Sequence, residues 1–250
     1  MTKDTQKKVV KRIKSEIQKN PRPRNACGDL IEDLVQLHKD KPEFTIDYLQ
    51  RMAITNFGAG HDTLASTLTS AVSLICSDPR VKQKVVEEIR GVKGHPQETT
   101  YLMAAIQESR RLRPVLSMAL QRVVPANGLQ LDGTWIPSGI TVGCHPYALH
   151  RNPEICGPEP DLFKPERWFD LERAKIMSKY SLAWGGGSRT CPGRHLAEMV
   201  VNNVIPALFR EFDISVEVPP EREMPSYVLS MMTGVKARFH STEIPLESAG

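Results

Sequence analysis

The sequence predicts a mainly α protein with small β-sheets. Apolar residues recur at helical spacing in five stretches, and an Asp-Gly pair sits between two short strand-like runs. A long segment rich in Pro and Gly then separates that hairpin from the last helix.

Residues 5–19 space Val9, Val10, Ile13 and Ile17 as one helical face and stop before Pro21 and Pro23. A longer helix opens near Thr45, with Asp47 in its first turn, and runs to Ser77. Its interior holds Gly58-Ala59-Gly60. Each interior glycine costs about 1 kcal/mol relative to alanine, so a local distortion or the close approach of something large is expected there. Asp78-Pro79 reads as the N-cap and first residue of a helix ending at Gly91. The next helix starts near Thr99 or Thr100 and ends before Pro114.

From Leu116 to Val142 the chain turns strand-like, with Asp132-Gly133 as a hairpin turn between Leu129-Gln130-Leu131 and Thr134-Trp135-Ile136. Residues 145–190 read as ordered coil with short helices. The last helix runs from about Gly193 to Phe212, with Leu196, Val200, Val204 and Leu208 on one face and a kink expected at Pro206. Short strands finish the chain. There is no internal repeat and no linker between independent domains.

Composition excludes several classes. The chain is 40% hydrophobic and 25% charged, ordinary values for a globular protein. Its net charge of +4 is concentrated in the first two dozen residues, where no aromatic is interleaved. That pattern fits a solvated helix face, and no nucleic-acid partner is expected. No apolar run reaches the roughly 20 residues of a membrane span, and the N-terminus lacks a signal-peptide core. The five cysteines (27, 76, 144, 156 and 191) are odd in number and contain no CxxC pair. This argues for an intracellular, reducing setting without a disulfide framework.

The most informative stretch is Trp184-Gly185-Gly186-Gly187-Ser188-Arg189-Thr190-Cys191-Pro192-Gly193. A haem iron bound by cysteinate needs a charged, shielded thiolate that can be reached across a flat macrocycle. Glycines let the backbone pass close to such a plate. A helix starting just after the cysteine adds N–H groups and partial positive charge that favour the thiolate. Arg189 offers a permanently charged planar fork to a propionate. Read alone, the same residues also allow a glycine loop around a buried structural cysteine. A phosphate loop is excluded, because GxxxxGK[ST] and a preceding apolar strand are both missing.

Ala59-Gly60-His61-Asp62-Thr63 lies in the middle of the long helix. An adjacent acid and alcohol, Asp62 and Thr63, are suited to relaying protons to a haem-bound oxygen. A bulge at Gly60 would free a carbonyl to hold water. Alternatively, these two residues only cap or bend the helix. Glu108 and Arg111 are i,i+3 on the helix ending at Pro114, so they can meet. Buried and joined by Arg167 of Pro165-Glu166-Arg167-Trp168, they would pin a scaffold. Left on the surface they would contribute about 1 kcal/mol or less. Arg122, on the strand after that helix, is a second candidate for a propionate.

Together and in this order these segments resemble the cytochrome P450 superfamily. Ala59 to Thr63 resembles its oxygen-activating motif, and Glu108-x-x-Arg111 its ExxR pair. Pro165 to Trp168 is similar to its PERF-type segment, and Trp184 to Gly193 to FxxGxRxCxG. Leu149-His150-Arg151-Asn152-Pro153-Glu154 also looks like the family. In overall character the chain resembles fungal microsomal members. Trp184 stands where the pattern has Phe. The segment from Gly91 to Thr100 is shorter than is usual, which suggests that a short helix is missing there.

The resemblance implies a single partial domain over residues 1–250, the C-terminal part of the haem-thiolate fold. Residues 45–77 would be the I helix, 100–113 the K helix, 184–193 the thiolate loop and 193–212 the L helix. Cys191 would be the axial ligand of haem b, Arg122 and Arg189 its propionate contacts, and Asp62 and Thr63 the proton relay. Glu108, Arg111 and Arg167 would be structural. The implied reaction is a monooxygenation of a small apolar substrate, of the kind used in secondary metabolism. It would draw on O2 and on electrons from NADPH-cytochrome P450 reductase or a similar donor. Such enzymes usually sit at the endoplasmic reticulum membrane. This chain starts just before the I helix, so the anchor and much of the substrate roof are expected to be absent. Only the Ala53–Thr63 face, Val115–Leu120 and the Ser230–Thr233 turn would line a substrate. On its own, the chain is expected to bind haem poorly and turn over little. One alternative is therefore a truncated, non-catalytic remnant, and a remote one is a zinc site from Cys191, His195, Cys144 and His145.

Overall fold

The apolar face of helix α1 (Lys3–Ile17) buries Val9 and Ile13 against α2 (Leu30–Asp40), which contributes Leu34 and Val35. Phe44, Leu49 and Ala53 complete this small core, the last two from the start of α3 (Ile46–Ser77). Helix α2 has no counterpart among the helices expected from the sequence. Its signals are nonetheless present: Asp29 caps it, accepting from the Ile31 and Glu32 N–H groups, and apolar residues follow at helical spacing. The computed structural model describes residues 3–20, 28–91, 100–220, 224 and 228–242. The breakers Pro21 and Pro23, Cys27 and the shortened stretch after Gly91 lie outside the described residues.

The chain divides into two units, Met1–Thr63 and Leu64–Gly250. The second is built around the C-terminal part of α3, α4 (Pro79–Gly91), α5 (Thr100–Leu112) and α9 (Arg194–Glu211). Ala71, Ile75, Val81, Val85, Ile89, Leu102, Ile106, Val201, Ile205 and Phe209 form its core. Asp78 caps α4 through Arg80 N–H at 2.9 Å and Val81 N–H at 3.1 Å, with Pro79 as the first residue. Glu88 does the same for α5 from a distance, accepting from Tyr101 N–H and Leu102 N–H.

After α5, strand β1 (Leu120–Val123) pairs antiparallel with β4 (Thr141–Cys144), enclosing the hairpin β2 (Leu129–Leu131) to β3 (Thr134–Ile136). The hairpin turn has φ +45° at Asp132 and +73° at Gly133, the two positive values that a type I′ turn requires. Short helices α6 (Pro146–Leu149) and α7 (Pro153–Cys156), a 3-10 helix at Pro165–Phe169 and α8 (Leu171–Tyr180) follow. Past α9, β5 (Phe212–Glu217) pairs antiparallel with β6 (Lys236–Ser241).

Helix α9 continues through Pro206 and buries Val201, Ile205, Pro206 and Phe209. The face expected from Leu196 is not the core face, because Leu196 is 63% exposed. The helix carries apolar residues on two sides, and spacing alone does not rank them. No helix among the described residues is long and apolar enough to cross a membrane.

Candidate haem-thiolate site

The thiolate loop owes its shape to its glycines. Gly185 has φ +75° and Gly187 φ +60°, conformations that L side chains rarely adopt. A Cβ on Gly185 would also lie 3.0 Å from the Arg189 carbonyl. A 3-10 turn at Gly187–Arg189 then brings the chain back, and Cys191 N–H donates to the Trp184 carbonyl at 2.8 Å. That bond closes the loop. Helix α9 starts three residues on, with Ala197 N–H donating to the Gly193 carbonyl at 2.9 Å. Cys191 is an exposed free thiol, which removes the reading as a buried structural cysteine.

Two cationic side chains accompany the loop. Arg122 on β1 reaches across to donate from Nη2 to the Gly186 carbonyl at 3.3 Å, and its Nη1 donates to Gln121 O at 2.7 Å. Arg189 is exposed two residues before Cys191. Leu196 and Met199, at i,i+3 on the first turns of α9, are 63% and 57% exposed. A thiol open to approach, flanking guanidiniums and uncovered apolar side chains form a donor set that fits a flat apolar macrocycle with anionic edges. Above Gly187 there is open space, since a Cβ there would meet nothing within 4 Å.

Glu108, Arg111 and Arg167 are brought together in the interior of the second unit. Glu108 is fully buried and Arg111 is 5% exposed. Arg111 grips both oxygens of Glu108, and Arg167 Nε adds a third contact at 3.0 Å. The Trp168 indole N–H and the Lys164 backbone N–H also donate to this carboxylate, at 3.0 and 3.1 Å. The remaining guanidinium donors hold carbonyls: Arg111 takes those of His150, Pro160 and Leu162. Arg167 takes those of Cys156, Pro158 and Glu159. One carboxylate and two forks therefore tie α5 to the segment running from His150 to Trp168.

Asp62 and Thr63 close the first unit. The chain stays α-helical through Gly58 and Gly60, so the expected bulge does not form. A Cβ on either glycine would meet nothing within 4 Å, which leaves that face open. Nor is the Ala59 carbonyl free, because Thr63 Oγ1 donates to it at 2.6 Å. The Asp62 carboxylate contacts His61 Nδ1 at 2.9 Å. That hydrogen bond holds Asp62 below the usual carboxylate range.

Several participants escaped the sequence reading. Trp168 serves Glu108. His150, 5% exposed, accepts the Leu182 N–H on Nε2 at 2.9 Å and so anchors the approach to the loop. Arg110 lies 5.2 Å over the Trp184 ring. Nothing about Arg110 stands out beside Arg111 until the fold separates the two. Of the stretches expected to line a substrate, Val115–Leu120 and the Ser230–Thr233 turn are joined. Ser230 N–H donates to the Val115 carbonyl at 2.8 Å, and Leu116 forms a bridge with Leu229. Among the described residues no group of three or more His, Cys, Asp or Glu could hold a metal ion, so the zinc reading has no support.

The family model described as Cytochrome P450 matches residues 1–238. Cytochrome P450 monooxygenase sdnT of Sordaria araneosa is 48% identical over 238 residues, covering 85% of this chain and 42% of that protein. Pisatin demethylase of Fusarium vanettenii is 36% identical over 168 residues, covering 64% of this chain and 33% of its own length. The chain thus spans less than half the length of these curated relatives. The structure of retinoic acid bound cyanobacterial CYP120A1 shares the fold, with a TM-score of 0.78 over 95% of this chain and 55% of that one, at 22% identity. With the family model matched over most of the chain and the helices and small sheets of that fold in place, the chain belongs to the cytochrome P450 family, which implies a haem cofactor.

Proposed function

We propose that this chain carries the thiolate side of a monooxygenase site that binds haem b through Cys191. The observation that supports it most directly is the closed glycine loop, which presents an exposed thiol at the start of α9. When bound, the haem supplies binding and reductive activation of O2. The balance is one substrate C–H, O2, two electrons and two protons, giving one C–OH and one water.

This chain's residues act around that chemistry. Cys191 Sγ would hold the iron as a thiolate. Arg189 and Arg122 would neutralise the two propionates, and the bond from Arg122 to Gly186 keeps its fork at the loop. Thr63 and Asp62 would hold or pass the protons, with the Thr63 hydroxyl exchanging its Ala59 partner for water. Glu108, Arg111 and Arg167 keep the loop's foundation rigid without touching substrate.

A small apolar substrate suits such a site. The names of the relatives, a monooxygenase and a demethylase, support oxidative chemistry. Electrons would come from a flavoprotein reductase of the NADPH-dependent type. The described cysteines 76, 144, 156 and 191 are all free thiols, which supports an intracellular location.

The test is reconstitution with haem followed by reduction under carbon monoxide. The expected result is the red-shifted Soret band of a thiolate ligand, absent in Cys191→Ala. The same band in both proteins would remove Cys191 from the iron.

A further inference from the structure

Behind the thiolate loop, between α5, α8 and the stretch from Ser181 to Glu198, lies a cavity of about 360 Å³. Three buried nitrogen atoms of its lining residues lack a hydrogen-bond partner among the described residues: Nε and Nη2 of Arg110 and Nδ1 of His150. Buried donors are nearly always satisfied in folded proteins, so three on the residues that line one cavity point to a missing partner. The His150 ring is oriented by its neighbours. Its Nε2 accepts from Leu182 N–H, so in the neutral ring the proton is on Nδ1 and Nδ1 is a donor. Burial pushes the His150 pKa down to about 4, which keeps the ring neutral.

The charges in the cavity are also unbalanced. Among the described residues, Arg110, Arg111 and Arg194 line it against the single carboxylate of Glu198. Arg111 is committed to Glu108, and Arg194 Nε donates to Glu198 at 2.9 Å. Arg110 has no ion pair among the described residues. Its guanidinium instead lies over the Trp184 ring at 5.2 Å, with that of Arg194 at 6.0 Å from the same ring. Nε and Nη2 form the side edge of an arginine fork. Arg111 uses this same edge to hold the two oxygens of Glu108. In Arg110 the edge is buried and meets no acceptor among the described residues.

We propose that this cavity binds a small oxyanion, taken edge-on by Arg110 Nε and Nη2 with His150 Nδ1–H as a further donor. A phosphate or a short carboxylate has the paired oxygens that this fork matches. Glu198 competes for Arg110 and sets a limit on affinity. Trp184, Gly185 and Thr190 of the thiolate loop share the lining of this site, and its occupancy can be read without haem.

The test uses the 250-residue chain without haem, titrated with inorganic phosphate, and in a second arm with acetate. Ionic strength is held constant with chloride, and tryptophan fluorescence and melting temperature are recorded. A saturable fluorescence change and a rise in melting temperature are expected with at least one of the two anions. Arg110→Leu should abolish both while melting no lower than the parent in chloride, because it removes a buried unpaired charge. Arg110→Lys, which keeps charge and loses the fork, should weaken binding at least tenfold. Glu198→Gln should tighten it. Identical curves in phosphate, acetate and chloride would mean that water fills the cavity, and would overturn the proposal. So would an equal saturable response in the parent and Arg110→Leu, which would put the anion elsewhere.

Discussion

Arg111 holds both carboxylate oxygens of Glu108, Nε to Oε2 at 2.9 Å and Nη2 to Oε1 at 2.8 Å, with the Glu108 side chain fully excluded from water. Two buried guanidiniums depend on this one anion, because Arg167 shares it. Replacing it strands them both. Glu108→Gln should therefore destabilise the protein by about 3–5 kcal/mol, the usual result of breaking a buried ion pair from one side. Chemical denaturation would measure it. An unchanged midpoint would show that the carbonyls around Arg111 and Arg167 suffice alone.

Cys191 is exposed and its thiol is in no disulfide. Cys191→Ala should change folding stability by no more than about 0.5 kcal/mol, as surface substitutions generally do. Its effect should fall on the spectrum of reconstituted haem. A large stability loss without haem would instead mark the cysteine as a packing residue.

Thr63 donates to the Ala59 carbonyl within its own helix, a bond that helical structure does not need. Thr63→Ala should leave folding within about 0.5 kcal/mol of the parent. In protein that turns over, it should divert electrons from product to peroxide, while Thr63→Ser retains coupling. Peroxide yield per electron consumed is the measurement. Equal coupling in all three would leave Thr63 a helix residue only.

His150 gives the fold a pH dependence of predictable sign. Its pKa is lowered from 6.5 to about 4, chiefly by burial. The unfolded chain binds the proton first as pH falls. Stability is thus fully present above pH 6.5 and declines as pH falls towards 4. The loss across that window is roughly 3 kcal/mol at most, from about 1.4 kcal/mol per pKa unit. Urea melts at pH 7 and pH 5 in phosphate-free buffer should show the decline. His150→Gln should flatten it. The same slope in both would assign the effect to another group.

What the sequence determined by itself is what neighbours along the chain can settle. The thiolate loop closes within ten residues, through positive-φ glycines and a bond from Cys191 N–H to the Trp184 carbonyl. The Asp132-Gly133 turn and the Asp78-Pro79 helix start are equally local. The Asp29 cap and the apolar spacing after it make α2 just as local. The tertiary structure decided which of several equivalent residues went inside. Glu108 and Arg111 are an ordinary i,i+3 pair until Arg167, 59 residues on from Glu108, arrives to bury them. Arg110 and Arg111 are adjacent letters of one kind. Helix geometry turns one to Glu108 and the other to the Trp184 ring, and only the packing partners give those directions different meanings. The same holds for α9, where Val201, Ile205 and Phe209 face the core and Leu196 does not. A periodic pattern states that a helix has an apolar side. Which side is buried depends on the surfaces that long-range contacts bring against it.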